Sequence, residues 1–131
     1  MGIPADQREV VAGTTPVFTA TLKDHAGTAI PAASLTSLTL TVWAKPSLTV
    51  IRDAVNALNA NGVTIHATSG LITWKVSAAD TALTDPDPRI DSEAHYYRFD
   101  WAWEAGGQAY AGSSGVDLFR VLNPNTRREE Q

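Results

Sequence analysis

Hydrophobic and polar side chains alternate along most of this chain with a period of two residues. In VFTATLKD the residues Phe18, Ala20 and Leu22 fall on one side of an extended segment, and two threonines and a lysine fall on the other. The run SLTLTVWA repeats the pattern, with aliphatic residues on one side and Trp43 among the residues on the other. This alternation is typical of strands that have one buried and one solvated face.

One segment, residues 46–62, does not follow this alternation. Asp53 is a suitable N-cap and Asn61-Gly62 a suitable C-cap, and the intervening AVNALNA places apolar residues at helical spacing. The sequence therefore predicts one short helical insertion packed over an end of the sheets. The tetrapeptide 77–80, SAAD, resembles the entry box of a helix and predicts a 3₁₀ turn.

The remaining segments are short, alternate regularly, and are separated by glycine-containing turns. Seven to eight strands with no helix of normal length predict an all-β fold, specifically an immunoglobulin-like antiparallel β-sandwich. We place an N-terminal arm at residues 1–16, the sandwich domain at 17–122 and a polar C-terminal tail at 123–131.

The densest aromatic segment is HYYRFDWAW, residues 95–103. An exposed aromatic platform for a ligand is one interpretation of this segment, and a buried strand is the other. The side opposite the main aromatic row carries Arg98, Asp100 and Glu104, which favour water more strongly, so the aromatic side is expected to point inward. The predicted core aromatics are Phe18, Trp74, Tyr97, Phe99, Trp101 and Trp103.

Composition and charge exclude several classes of function. The net charge is −4, from 14 acidic and 10 basic residues, and the basic residues are scattered, which disfavours nucleic acid as a partner. There is no cysteine, so disulfides and thiolate metal sites are excluded. No apolar stretch is long enough to cross a membrane, and the N-terminus lacks the segments of a signal peptide.

Catalytic and metal-binding patterns are weak in this sequence. Glu93 and His95 share one side of a predicted strand, as a carboxylate that orients an imidazole does, but a structural histidine at the core edge is the preferred interpretation. The segment 112–115, GSSG, lacks the order of a nucleophile elbow, and the acidic loop 85–93 does not match a calcium-binding loop. We expect no catalytic residue, no metal and no cofactor.

Several of these segments resemble a known family. The stretches FTATLKD and SLTLTV, at 18–24 and 37–42, look like the opening hairpin of immunoglobulin-like modules in virion proteins of tailed bacteriophages. Further matching features are Asp53, LNANGVTI, GLITW, Asp80, and EAH followed by Phe99 and Trp101. From about residue 16 to residue 122, the chain is similar to a family of small phage structural proteins encoded among head and head-tail joining genes.

The resemblance implies a non-catalytic virion component, made in the bacterial cytoplasm and docked in multiple copies on capsid, neck or tail subunits. The head surface, as decoration or cement, and the head-tail neck are the expected positions. The alternative is a surface- or carbohydrate-binding β-sandwich module whose aromatic residues bind the ligand. The expected assembly surface consists of the two chain ends and an outward tryptophan: Val10, Val11, Trp43, Arg127 and Arg128.

Overall fold

The structure, a computed structural model, describes residues 9–45, 48–85, 91–114 and 116–124. These residues form nine strands and a single 3₁₀ turn, and they contain no α-helix. The strands are β1 (Glu9–Val11), β2 (Val17–Thr21), β3 (Leu35–Lys45), β4 (Thr49–Asn56), β5 (Val63–Ile65), β6 (Leu71–Lys75), β7 (Ser92–Ala105), β8 (Gln108–Ser113) and β9 (Asp117–Leu122). The 3₁₀ turn spans Ala32–Ser34.

The strands form two sheets. The large sheet has the order β1-β9-β7-β3-β4, and the small sheet has the order β2-β6-β5. Strand β7 is long enough to pair with two strands on one side: its first half pairs with β9, and its second half pairs with β8. All pairs are antiparallel except β1 with β9, which is parallel.

The core lies between the two sheets, and Trp74 on β6 is at its centre. Its ring lies 5.7 Å from Phe99 at an interplanar angle of 89° and 5.1 Å from Tyr97, both on β7. Phe119 on β9 is fully buried and also contacts Trp74. Each such side chain contributes about 1.5–3 kcal/mol by leaving water, so this cluster joins the sheets into an all-β sandwich.

The predicted helical insertion is wrong, because residues 49–56 form strand β4 and pair with β3. Arg52 lies opposite Val42 and Val55 lies opposite Leu40, so β4 has one more residue than β3 between these pairs. This bulge shifts the alternation of β4 by one residue, and the shift produces the apparent helical spacing. The following loop has left-handed Asn59 and Asn61 at φ of 53° and 55°, which the interior of a helix does not contain.

Part of the predicted N-terminal arm belongs to the fold. Residues 9–11 form β1, which adds to the chain's own large sheet as an edge strand. At the predicted 3₁₀ turn, residues 77–80 are closed by a hydrogen bond from the Asp80 N–H to the Ser77 oxygen at 3.0 Å, which is the i to i+3 pattern of a 3₁₀ turn, but they do not form a 3₁₀ helix. Most of the predicted tail, residues 125–131, lies outside the described residues.

Candidate functional site

Four apolar side chains form a line across the outer face of the large sheet, the face directed away from the small sheet. The strand register places Leu118 opposite Tyr96, Tyr96 opposite Trp43, and Trp43 opposite Val50. These four residues, one on each of β9, β7, β3 and β4, are called the apolar row below. On β3 and β7 the residues before and after the row are buried, and on β9 Phe119 is buried, as period-two geometry requires.

The apolar row is fixed by aromatic stacking at its centre. The rings of Trp43 and Tyr96 stack at a centroid distance of 5.8 Å and an interplanar angle of 17°. Both side chains are half-buried, whereas Val50 at the end of the row is 58% exposed. Cross-strand aromatic pairs of this kind stabilise a sheet and hold the side chains in one orientation. The row is thus a pre-organised apolar surface.

Basic side chains lie on both sides of the apolar row. Ala94 lies two residues before Tyr96 on β7, and its partners on β3 and β9 are Lys45 and Arg120. The Lys45 ammonium lies 5.4 Å from the centre of the Tyr96 ring. On the other side Arg98 donates from Nε to Asp100 at 2.9 Å, with both side chains well exposed. Glu9 is the cross-strand neighbour of Arg120, and Arg98 is paired with Asp100. The outer face therefore combines an apolar centre with flanks that carry both basic and acidic side chains.

The predicted assembly residues have different positions in the structure. Trp43 is at the centre of the apolar row. Val11 is 43% exposed on the same outer face, opposite Leu122 at the far end of β9. Val10 is not an assembly residue, because its side chain points inward, is 9% exposed and belongs to the core cluster. Arg127 and Arg128 lie outside the described residues.

The six predicted core aromatics all lie on the inner side of the sandwich. Trp74, Tyr97, Phe99 and Trp103 are buried, and Phe18 and Trp101 are partly buried and pack against the same core. Trp101 is partly covered by Gly112, its partner on β8: a methyl group at this glycine would come within 2.7 Å of the indole nitrogen. The aromatic side of β7 is therefore core rather than an exposed platform.

The second group of interest is a buried polar network that consists of Arg52, Asp80, Glu93 and His95. His95 is fully buried, with Nδ1 at 2.7 Å from the backbone oxygen of Asp80 and Nε2 at 2.6 Å from Glu93 Oε2. A carbonyl oxygen only accepts, so Nδ1 carries a hydrogen and donates it to the Asp80 oxygen. The Glu93 carboxylate also accepts from the Thr84 N–H and hydroxyl and from the Asp85 N–H.

The other half of the network joins the same loop to β4. Arg52 donates from Nε and Nη2 to the two carboxylate oxygens of Asp80, and the Asp80 side chain is 1% exposed. Ser77 and Asp80 also exchange hydrogen bonds, from Ser77 N to Oδ2 and from Asp80 N to Ser77 Oγ at 3.2 Å. This reciprocal pattern is that of a helix-entry box, used here to close a turn.

The hydrogen bonds around Glu93 determine its ionisation. Burial is the largest influence on the pKa of Glu93, and burial alone would raise it. The hydrogen bonds from Thr84, His95 and Asp85 outweigh burial, so the net pKa lies below its ordinary value of 4.5. The ionised carboxylate is held by donors on three sides, and the fully buried imidazole has no access to a solvent-borne substrate. Hydrogen bonds of this network link residues 77–85 to strand β4 through Arg52 and to strand β7 through Glu93 and His95.

Three further observations concern metal binding and membrane spans. Within the described residues, no group of three or more histidine, aspartate and glutamate side chains is arranged to hold a metal ion. The centre of the acidic loop 85–93, including Asp87, lies outside those residues. No helix in the described part of the chain is long and apolar enough to cross a membrane.

Sequence reasoning missed Tyr96 and the Arg52–Asp80 pair. The sequence pattern could have identified Tyr96 as a surface residue, because the alternation of β7 places it on the outward side together with Arg98. The Arg52–Asp80 pair had no such signal, because its two residues are 28 positions apart, one just before the predicted helix and the other at the end of a predicted turn.

Comparison with known proteins places the chain in no family. No family model matches it, and no curated protein matches it.

Proposed function

We propose that this protein is a non-catalytic structural component of a tailed-phage virion that docks on other viral subunits through the outer face of its large sheet. The observation that carries the proposal is the apolar row with the charged side chains beside it. The stacked pair Trp43 and Tyr96 at its centre has the character of an interface hot spot, since such sites are rich in tryptophan, tyrosine and arginine.

The chemistry of the surface defines the partner. A complementary surface presents apolar side chains to the row and a carboxylate to Lys45, whose ammonium lies over the Tyr96 ring, because opposite charges at the rim steer association and set the register. The partner is therefore a protein surface with an apolar centre and an acidic side chain at its rim. The half-buried, stacked position of Trp43 favours a protein partner over a sugar, because one part of the indole face is already covered by Tyr96.

The immunoglobulin-like character of the sandwich is part of this proposal. In chain order, β2 to β7 correspond to strands B, C, C′, D, E and F, and β8 and β9 to two parts of strand G. The small sheet then has the order B-E-D and the large sheet the order G-F-C-C′, as in variable-type immunoglobulin domains. The parallel β1 at the outer edge of β9 extends the G-F-C sheet.

The virion location rests on the resemblance of residues 16–122 to small phage structural proteins. A domain of this kind would decorate or cement the head surface or occupy the head-tail neck, and it would be present in multiple copies because viral shells and necks are symmetric assemblies. Its chemistry would be binding, with no metal or cofactor.

A pair of matched substitutions tests the docking surface. Val50→Asp places a carboxylate at the exposed end of the apolar row, and Val17→Asp places one on β2 of the small sheet at a similar exposure, 56% against 58%. We expect Val50→Asp to lower incorporation into particles about tenfold, the effect of losing ~1.4 kcal/mol of binding, and Val17→Asp to have little effect. Quantitative immunoblotting of purified particles, normalised to the capsid subunit, measures both.

Both variants should melt close to the unmodified protein, because both positions are exposed on strands. If Val50→Asp incorporates as well as Val17→Asp, the outer face of the large sheet is not the docking surface.

A further inference from the structure

An open cleft of about 220 Å³ lies at one end of the sandwich, between the turn that follows β2 and the hairpin of β7 and β8. It is separate from the apolar row, because its aromatic residues come from the inner side of β7 and β8 and from a turn. The cleft is lined by Asp24, His25, Ala26, Trp103, Ala105 and Tyr110. It is called the aromatic cleft below.

Three rings form the walls of the aromatic cleft. Trp103 and Tyr110 are direct cross-strand partners, and their rings stack at 5.4 Å and 21°. The His25 ring lies 5.6 Å from Trp103 and 6.2 Å from Tyr110, inclined at 54° and 56° to them. The near-parallel pair and the inclined imidazole thus make an open corner. Tyr110 is 41% exposed and Trp103 is 4% exposed, so Tyr110 presents its ring to solvent and the buried Trp103 supports it by stacking.

A fixed carboxylate completes the aromatic cleft. Asp24 Oδ1 accepts hydrogen bonds from the N–H groups of Ala26 and Thr28, both at 2.9 Å, and these bonds hold the side chain in one position. Among the described residues, Asp24 Oδ2 has no hydrogen-bond partner. A negative charge therefore lies at the wall of an aromatic corner without a cation to neutralise it.

We propose that the aromatic cleft binds an organic cation, of the class that a guanidinium or a methylated ammonium group presents. The faces of aromatic rings carry negative electrostatic potential and attract a cation that lies within about 6 Å of the ring centre. The Asp24 carboxylate adds a full negative charge in the same place. An anion is repelled by both features, and a neutral apolar group would leave the carboxylate unpaired while covering it.

This proposal does not depend on the function proposed above. The docking surface is centred on the apolar row, whereas the aromatic cleft carries the Asp24 carboxylate and selects a cation, so the two sites recognise different chemistry. The cation has two possible sources, a side chain of a partner protein or a free small molecule, and they are distinguished by the choice of probe.

The test is a titration of the full chain, followed by the assigned indole N–H resonance of Trp103 in nuclear magnetic resonance spectra. The cationic probes are N-acetyl-arginine methylamide, which represents a side chain, and choline, which represents a small molecule. Each has a neutral counterpart of the same shape: N-acetyl-citrulline methylamide and 3,3-dimethylbutanol. We expect a saturating shift with at least one cationic probe and at least fivefold weaker binding of its neutral counterpart.

Two variants localise the effect. Asp24→Asn retains an acceptor oxygen for the turn and removes only the charge, and Tyr110→Leu removes an exposed ring. We expect each to weaken binding about fivefold or more, and the control Asp53→Asn, which removes an exposed carboxylate on β4, to leave it unchanged. Unchanged backbone resonances away from the cleft verify that each variant is folded.

Several results would overturn the proposal. These are equal shifts with a cation and its neutral counterpart, no effect of Asp24→Asn, no saturation with either cation, or saturation with methyl glycosides but with neither cation. The last result would identify the aromatic cleft as a sugar site instead.

Discussion

Glu93 is a single ionisable side chain that holds the loop at residues 84–85 in place by hydrogen bonds. Its carboxylate accepts from two backbone N–H groups, a hydroxyl and an imidazole, and it is 4% exposed. A carboxylate that is removed from water tolerates ionisation only when donors replace the water, and here they hold its pKa below the ordinary value. The histidine that the sequence marks as a possible general base has a structural partner on each ring nitrogen.

Glu93→Gln is expected to destabilise the protein by about 3 kcal/mol at pH 7, because the amide keeps the size of the side chain but loses the charge that four donors stabilise. The effect has a defined pH dependence. A carboxylate with a lowered folded pKa contributes stability that is fully present above its unfolded value, near 4.5, and is lost as the pH falls through the folded pKa. The difference in free energy of unfolding between the unmodified protein and Glu93→Gln should therefore be constant above about pH 5 and become smaller below pH 4.5.

Urea unfolding at pH 7, 5, 4 and 3 measures this difference. A difference that stays constant down to pH 3 would show that the Glu93 charge does not contribute to the stability of the fold. Asp53→Asn, at an exposed carboxylate on β4, is the control and should change stability little at any of these pH values.

At the scale of the element, β4 shows how a bulge can mislead a prediction from spacing. Ala54 lies in the bulged part of β4 with φ of 50°, a left-handed conformation that costs an alanine about 1–2 kcal/mol and costs glycine little. An L-residue at this position is a strained feature of an otherwise regular strand, and it accompanies the shift in alternation.

Ala54→Gly is expected to raise the free energy of unfolding by about 0.5–1 kcal/mol, because relief of the left-handed strain exceeds the entropy cost of glycine. The same substitution at Ala109, an exposed position of β8 without a positive φ, should lower it by a similar amount. Thermal and chemical unfolding of the two variants are compared. If both substitutions destabilise, the left-handed backbone at residue 54 is not strained in solution.

The elements differ in how far the sequence predicts them. In β3 and β7 the alternation is long and unbroken, so it predicts which side faces the core, including Leu38, Leu40 and Phe99. In β1 the strand has three residues and one buried side chain, Val10, which is too little signal to distinguish a strand from an arm. In β4 the bulge removes the regular period on which the prediction depends.

For the whole molecule, the two sites depend on contacts that span the chain. The apolar row takes its four residues from strands between positions 43 and 118, and the aromatic cleft joins a turn at residue 24 to a hairpin near residue 110. A single sequence contains no direct record of strand order or register, so these sites are not predictable without the sheet topology. Only Trp43 had a local signal, because it is a large aromatic on the predicted outward side.

The two sites also give the molecule a polarity that its composition does not show. The apolar row lies on the outer face with Lys45 beside it, and a carboxylate lines the cleft at one end of the sandwich. A small domain with two chemically different surfaces can contact two different partners, or neighbouring copies of itself, in a fixed orientation. This arrangement suits a component of a symmetric assembly.

Quantitative mass spectrometry of purified particles shows whether the protein is a phage structural component, as proposed. If it is, the chain copurifies with the particles at a fixed ratio to the major capsid subunit. Copies on the order of hundreds would indicate the head surface, and one ring's worth would indicate the neck. Absence of the chain from purified particles, in spite of its presence in the infected cells, would rule out the proposed function.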